Sequence, residues 1–322
     1  MNTENGVIKD ARSLGTPKML ILGLQHMVAM FGATILVPIL VNSYFHGEGL
    51  SIQVTLICAG IGTLFFHFCT KMKVPAFLGS SFAFLGGFAT VAELDSGIFA
   101  DMSYGEKLPY ACGGIVVAGL LYLVLALIIK LAGVKRVMRF LPPVVTGPII
   151  ICIGMTLANS AINNCTGSWD IALVAILTVV IFNICGKGML RIIPILLGVL
   201  VSYVYAAVTG RVDFSGVASA AWIGLPVKME NTVFSLIGNC DANLLVTAII
   251  AIMPIAFATM IEHIGDICAI SSTVGANFIA DPGLHRTLLG DGLATSIASL
   301  FGAPANTTYG ENTGVLALSK VY

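Results

Sequence analysis

The sequence has 322 residues, of which 57% are hydrophobic and only 10% are charged, and its mean hydropathy is +0.97. Soluble domains carry about 25% charged residues, so this composition excludes an ordinary soluble protein and predicts lipid as the solvent of the chain. The formal net charge is zero, with 16 basic and 16 acidic residues, so no basic surface favours nucleic acid as a partner.

Apolar runs bounded by charges or turn residues predict about ten membrane spans, since each needs about 20 residues. In chain order we expect them at residues 19–44, 51–69, 75–94, 109–133, 142–162, 171–186, 189–209, 243–265, 287–302 and 303–319. The start of the chain is short, polar and net basic, and no cleavable signal peptide is predicted before the first span. The sequence therefore predicts an all-α polytopic membrane protein with one transmembrane domain over residues 1–322.

The third and tenth spans are interrupted by Gly, Ser, Thr and Pro, which make poor continuous helices. One carries Pro75 and then GSSF at 79–82, and the other carries Pro304 and then TTYG at 307–310. Irregular backbone at membrane depth survives only against protein or a watery cavity, so we expect both segments inside the bundle. Paired broken spans are typical of inverted-repeat transporters, with two proline-kinked core helices as the alternative.

The basic residues predict the orientation of the chain, because Lys and Arg favour the cytoplasmic side of a membrane. With a cytoplasmic N-terminus, all but three of the 16 Lys and Arg fall on the cytoplasmic side. The three exceptions are Lys107, Arg211 and Lys228.

Four acidic residues fall within the predicted spans or at their ends, namely Glu262, Asp266, Asp291 and Glu311. An ionised side chain at the bilayer centre costs about 2.5–3.5 kcal/mol on insertion scales, so each one requires an explanation. Glu262 and Asp266 share one helical face because they are four residues apart. The alternatives are helix-end positions at the membrane interface for Asp266 and Asp291, and structural carboxyls satisfied by neighbours for Glu262 and Glu311.

Glu262 is the first candidate for carrying a proton, because burial and a second nearby carboxyl both favour the protonated form. His26, a polar residue in the first span, is a further candidate, with a hydrogen bond between helices as its alternative role. The sequence has no cluster of nucleophile and base, no His-rich metal set and no GxxxxGK[ST] phosphate loop. We therefore expect no enzyme, no metal and no cofactor other than the coupling proton.

The chain resembles the nucleobase/ascorbate transporter family and, within it, the bacterial members that transport uracil. The matching blocks lie at residues 24–40, 74–84, 192–203, 262–265, 281–286 and 306–320. The last block resembles the family signature, an acidic residue or Gln followed by Asn, any residue, Gly, four residues, Thr and a basic residue. Here the signature runs from Glu311 to Lys320, with Ser319 where Thr is usual. The uracil-transporting pattern also has His where this chain has Asp266.

The resemblance implies fourteen spans in two inverted repeats of seven, divided into a core and a gate domain that are interleaved along the chain. It also implies short strands within the third and tenth spans, with the substrate between them. The chain ends at Tyr322, just after the tenth span, so we expect a truncated sequence. The implied location is the bacterial inner membrane, in contact with the lipid bilayer, and a homodimer is left open.

The same resemblance assigns a substrate site and implies proton symport of uracil. Glu262 and Glu311 are implied to bind uracil through their carboxylates, and Phe82 and Gly310 through their backbone, while Tyr309 and Ser81 fall in the same segments. Glu262, Asp266 and His26 are the candidates for proton coupling. Two alternatives stay open: a purine or xanthine permease of the same family, whose members commonly have Gln in place of Glu311, and an uncoupled nucleobase facilitator.

Overall fold

The computed structural model describes residues 3–4, 7–8, 10–140, 143–187, 190, 193–219, 224 and 226–322. Its strands are β1 (Thr3–Glu4), β2 (Val7–Ile8), β3 (Leu78–Ser80) and β4 (Asn306–Thr308). Its α-helices are α1 (Thr16–Tyr44), α2 (Ile52–Cys69), α3 (Leu85–Ala92), α4 (Tyr104–Ala132), α5 (Val134–Phe140), α6 (Pro143–Thr166), α7 (Trp169–Cys185), α8 (Pro194–Val208), α9 (Ser215–Ser219), α10 (Ala242–Val274), α11 (Leu284–Leu300) and α12 (Gly310–Ser319). Short 3-10 helices lie at Ala11–Leu14, Gly97–Phe99, Met229–Asn231 and Val233–Leu236, and a π-helical turn lies at Ile279–Gly283.

The long helices follow the predicted apolar runs, and four of the described helices (α1, α2, α4 and α10) are long and apolar enough to cross a membrane. The predicted boundary that differs most is the end of α10, which continues to Val274 rather than ending at residue 265. Asp266 does not stop this helix, since its carboxylate accepts a hydrogen bond from the Thr308 hydroxyl. A polar residue whose hydrogen bonds are satisfied is compatible with a continuous helix at that depth.

The two broken spans each form a short strand followed by a short helix, as the resemblance implied. β3 precedes α3, and β4 precedes α12. The strands pair antiparallel, with Leu78 opposite Thr308 and Ser80 opposite Asn306. The alternative of two proline-kinked helices is therefore wrong, because Pro75 and Pro304 lie in non-helical backbone just before the strands.

The chain divides into two compact units. The first comprises Met1–Gly32, Ile151–Leu225 and Gly314–Tyr322, and the second comprises Ala33–Ile150 and Pro226–Thr313. In the first unit α7 and α8 lie so close that a Cβ on Gly198 would meet the Val179 side chain. The same two helices are joined by Asp170, which binds Arg211 at 2.8 Å and accepts a hydrogen bond from the Tyr205 hydroxyl at 3.1 Å.

In the second unit α4 packs against both α10 and α11, and α11 also packs against α2. Small residues permit this close approach, as is common between membrane helices. A Cβ on Gly119 of α4 would meet Ser296 and the Gly292 carbonyl of α11, and one on Gly114 would meet the Ala248 carbonyl of α10. β3 and β4 are buried within this unit along their whole length. The helices thus form a frame around the strand pair.

Candidate functional site

Hydroxyl groups of the surrounding helices hold the strand pair. Thr63 of α2 accepts a hydrogen bond from the Leu78 N–H at 3.0 Å and lies 3.2 Å from the Leu78 carbonyl. Thr295 of α11 donates to the Asn306 carbonyl at 2.7 Å. Each threonine lies equally far from the start of its helix, and each contacts the first residue of the strand that follows. The two broken spans are therefore anchored in the same way.

Tyr309, directly after β4, crosses over to β3. Its hydroxyl donates to the Ser80 carbonyl at 2.8 Å and lies 3.4 Å from the Thr34 hydroxyl of α1. The ring passes over Gly79, where a Cβ would come within 2.5 Å of a ring carbon. Glycine at this position therefore allows the tyrosine to cover the strand.

Carboxyl groups gather beside the end of β4. Glu262 of α10 interacts electrostatically with Asp266, Asp291 and Glu311, and Tyr309 interacts with both Glu311 and Glu262. Asp266 accepts a hydrogen bond of 2.7 Å from the Thr308 hydroxyl. The fold thus brings together Glu262, Asp266, Glu311 and Tyr309, which are distant in sequence.

The two glutamates differ in their surroundings. Glu262 is half-buried, and its Oε2 is buried with no hydrogen-bond partner among the described residues. Glu311, in the first turn of α12, is exposed. A buried acceptor with no partner is costly, so it is poised to bind a donor. Glu262 therefore has an acceptor available for a ligand N–H or a proton.

A buried pair, His263 and Asp291, lies next to these carboxyls and was given no role in the sequence analysis. Both side chains are 0% exposed, and His263 Nδ1 lies 3.1 Å from Asp291 Oδ2. The same nitrogen is 3.5 Å from the Thr308 hydroxyl. A lone His or Asp in an apolar run does not show which residue of another helix it contacts. Thr259 and His263, four residues apart and both buried, were an available signal that one buried face of α10 carries polar side chains.

The helix-end interpretation of Asp266 and Asp291 is wrong. Asp291 lies in the middle of α11, fully buried, and Asp266 lies well before the C-terminal end of α10 at Val274. Each has a polar partner, His263 for Asp291 and the Thr308 hydroxyl for Asp266. Both side chains are part of the polar cluster in the second unit.

Of the other predicted residues in the second unit, Gly310 lies between Tyr309 and Glu311, whereas Ser81 and Phe82 lie away from these carboxyls. Ser81 and Phe82 follow β3 and, because the strands are antiparallel, lie at the opposite end of the pair from Tyr309. The Ser81 N–H donates to the Ala305 carbonyl at 2.8 Å, while its buried hydroxyl has no partner among the described residues. Phe82 is half-buried and Gly310 is exposed at the start of α12. His26 lies half-buried on α1, in the first unit.

Comparison with known proteins decides the family. Residues 17–322 match the model of the Permease family. The chain belongs to this family. Similar proteins include the uracil permeases of Bacillus caldolyticus (43% identical, covering 98% of this chain and 69% of the relative), Bacillus subtilis strain 168 (40%, 93% and 66%) and Escherichia coli K12 (35%, 94% and 66%). Because the chain belongs to the Permease family and has several helices long and apolar enough to cross a membrane, it is a multi-pass membrane transporter.

Proposed function

We propose that this permease carries uracil into a bacterial cell, across the inner membrane and together with protons. The uracil permeases of two Bacillus species and of Escherichia coli, similar over nearly the whole chain, support the substrate. The observation that carries the proposal is the electrostatic interaction of Glu262 with Glu311, which lies in the first turn of α12 just after β4. Two carboxylates on separate helices form an acceptor set for a ligand with two N–H donors.

Uracil suits this set because it is planar and neutral, with two ring N–H donors and two carbonyl acceptors. The carboxylates of Glu262 and Glu311 accept from the N–H groups. The carbonyls accept from the backbone N–H groups of Phe82, just before α3, and of Gly310, the first residue of α12. Hydrogen bonds to a charged partner contribute about 1.5–3 kcal/mol each and neutral ones about 0.5–1.5 kcal/mol each, so two of each sum to about 4–9 kcal/mol, a range that includes micromolar affinity at about −8 kcal/mol. Ser81 and Tyr309 directly precede Phe82 and Gly310, and so belong to the same two binding segments.

The proximity of several carboxyls in this unit supports proton coupling. Glu262 interacts with the charges of three other acidic residues, Asp266, Asp291 and Glu311. Ionised carboxylates held close to one another repel, and one bound proton relieves that repulsion. We assign the proton first to Glu262, because the Asp266 carboxylate already accepts a hydrogen bond from Thr308. Asp266 and His26 are the next candidates.

The internal symmetry of the chain supports an inverted repeat. A series of two helices, a short strand and a short helix occurs twice along the chain. It comprises α1, α2, β3 and α3 the first time, and α10, α11, β4 and α12 the second time. The strands run antiparallel, and the matching threonines Thr63 and Thr295 anchor them in the same way. Such repeats place the binding site between their broken spans. The uracil site proposed here lies in that region.

The orientation we propose puts the N-terminus in the cytoplasm. It rests on the one-sided distribution of Lys and Arg, of which only Lys107, Arg211 and Lys228 fall on the other side.

The test is uptake of radiolabelled uracil by cells that lack their own uracil transport and express the complete gene. Unlabelled uracil should abolish uptake, whereas xanthine and hypoxanthine should not compete. Stronger competition by xanthine would instead favour the purine alternative. Alkalinisation of the medium on addition of uracil is expected for symport, and its absence would favour an uncoupled facilitator.

A further inference from the structure

Lys107 is a buried lysine in the second unit that the proposed transport chemistry does not use. It lies in the first turn of α4, and only 6% of the residue is exposed. Among the described residues no carboxylate lies within ion-pair distance of its ammonium group. A lysine buried without a carboxylate is rare, because the loss of hydration must be offset by other contacts.

The contacts of the Lys107 ammonium are two backbone carbonyls and one aromatic ring. Nζ donates to the Leu94 carbonyl at 2.6 Å and to the Ala92 carbonyl at 3.3 Å. It also lies 5.3 Å from the centre of the Tyr104 ring. Ala92 is the last residue of α3, so the positive charge binds the C-terminal end of that helix. This end of a helix carries unpaired carbonyls and a partial negative charge, which a cation complements.

α3 is the short helix that directly follows the segment with Ser81 and Phe82. It is packed tightly, since a Cβ on Gly87 would come within 3.0 Å of the Ile252 and Ile255 side chains of α10. A rigid helix of eight residues transmits a displacement of one end to the other. The position of the Ser81–Phe82 backbone therefore depends on what holds the far end of α3.

We propose that Lys107 is a positioning residue for the uracil site: by binding the Ala92 and Leu94 carbonyls at the C-terminal end of α3, it fixes the helix whose other end follows the Phe82 backbone that contacts the substrate. This inference rests on the proposed function for its substrate, but its structural part, the anchoring of α3, does not. Lys107 contacts no substrate in this account and acts only through α3.

The experiment compares Lys107→Arg, Lys107→Gln and Lys107→Met in the protein purified from the complete gene. Arginine keeps both the charge and the donors, glutamine keeps donors without the charge, and methionine keeps neither. We expect uracil affinity close to wild type for Arg, an intermediate loss for Gln and a loss of about tenfold for Met. Lys228→Met is the matched control, because Lys228 is an exposed cation of the same unit, with 73% of its side chain accessible.

Hydrogen exchange of the α3 amides, residues 85–92, is measured on the same variants without uracil. Faster exchange confined to α3, in the order Met, Gln, Arg, supports the anchoring. Wild-type uracil affinity in Lys107→Met, an Arg variant as weak as Met, or unchanged exchange in α3 would each overturn the proposal. If Met does not fold, the comparison of Gln with Arg carries the same test. A wild-type protein that binds no uracil would refute the proposed function, while the exchange series would still test the role of Lys107.

Discussion

Glu311 lies in the first turn of α12, exposed, where its charge interacts with Glu262 and Tyr309. Replacement by Gln exchanges one acceptor oxygen for an NH2 group, which opposes a ring N–H of uracil. The unpaired donors cost about 1–3 kcal/mol each, so we expect uracil affinity to fall by about ten- to a hundredfold. Equilibrium binding of labelled uracil to the purified variant measures this loss.

Glu230→Gln is the control for that variant, since Glu230 is an exposed carboxylate, with 75% of its side chain accessible, in the same unit. It should bind uracil as the wild type does. Undiminished affinity in Glu311→Gln would remove Glu311 from the site.

The pair of His263 and Asp291 is best tested as a double-mutant cycle. His263→Leu leaves the acidic side chain of Asp291 buried without its partner, which costs about 3–5 kcal/mol in comparable buried pairs. Replacing the acidic group as well, in His263→Leu/Asp291→Asn, should restore part of that loss. Thermal unfolding in detergent compares both single variants and the double variant. Additive losses in the double variant would show that the pair is not coupled.

At the scale of elements, the packing of the Tyr309 ring against β3 depends on the absence of a side chain at Gly79. Gly79→Ala places a methyl group against that ring and the Thr34 hydroxyl, so Tyr309 has to move. We expect a clear loss of uracil binding, because Tyr309 directly precedes Gly310 and Glu311. Gly86→Ala in α3, where a Cβ meets nothing within 4 Å, is the matched control and should bind normally. Equal affinity of the two variants would separate Tyr309 from the site.

The elements themselves were largely predictable from the sequence. Apolar runs determine where long helices form, and the Gly, Ser, Thr and Pro residues of spans three and ten predicted that neither is a continuous helix. The C-terminal extension of α10 to Val274 was not predictable. In the sequence alone, Asp266 is equally compatible with a helix end at the membrane interface, and its hydrogen bond from Thr308 is known only from the structure. The strands came from the resemblance, since three-residue strands carry no periodic signal of their own.

At the scale of the whole molecule, the predicted site residues divide according to their place in the fold. The acidic residues were found because a charge in an apolar run is costly. Their partners His263 and Thr308 were not, because a contact between residues 45 apart depends on packing that no local pattern records. The sequence analysis placed Lys107 in a loop on the non-cytoplasmic side, yet its ammonium group is buried against two backbone carbonyls.

Coupling involves the whole permease, since binding at one site has to govern its reorientation. Glu262→Gln mimics a permanently protonated carboxyl, so the pH gradient no longer acts through this residue. We expect the variant to lose accumulation of uracil against its gradient. Exchange of internal for external uracil should persist at saturating uracil, because the amide weakens binding, as at Glu311, while the neutral side chain still allows reorientation.

The most direct test of proton-coupled uracil transport uses proteoliposomes that contain the purified permease, with an alkaline interior and an acidic exterior. We expect the wild type to concentrate labelled uracil inside and to release it when a protonophore collapses the pH difference. Glu262→Gln, measured beside it, should show counterflow without accumulation. Equal accumulation in Glu262→Gln would assign proton coupling to Asp266 or His26. A wild type that never concentrates uracil in response to the pH difference would contradict proton-coupled uracil transport by this permease.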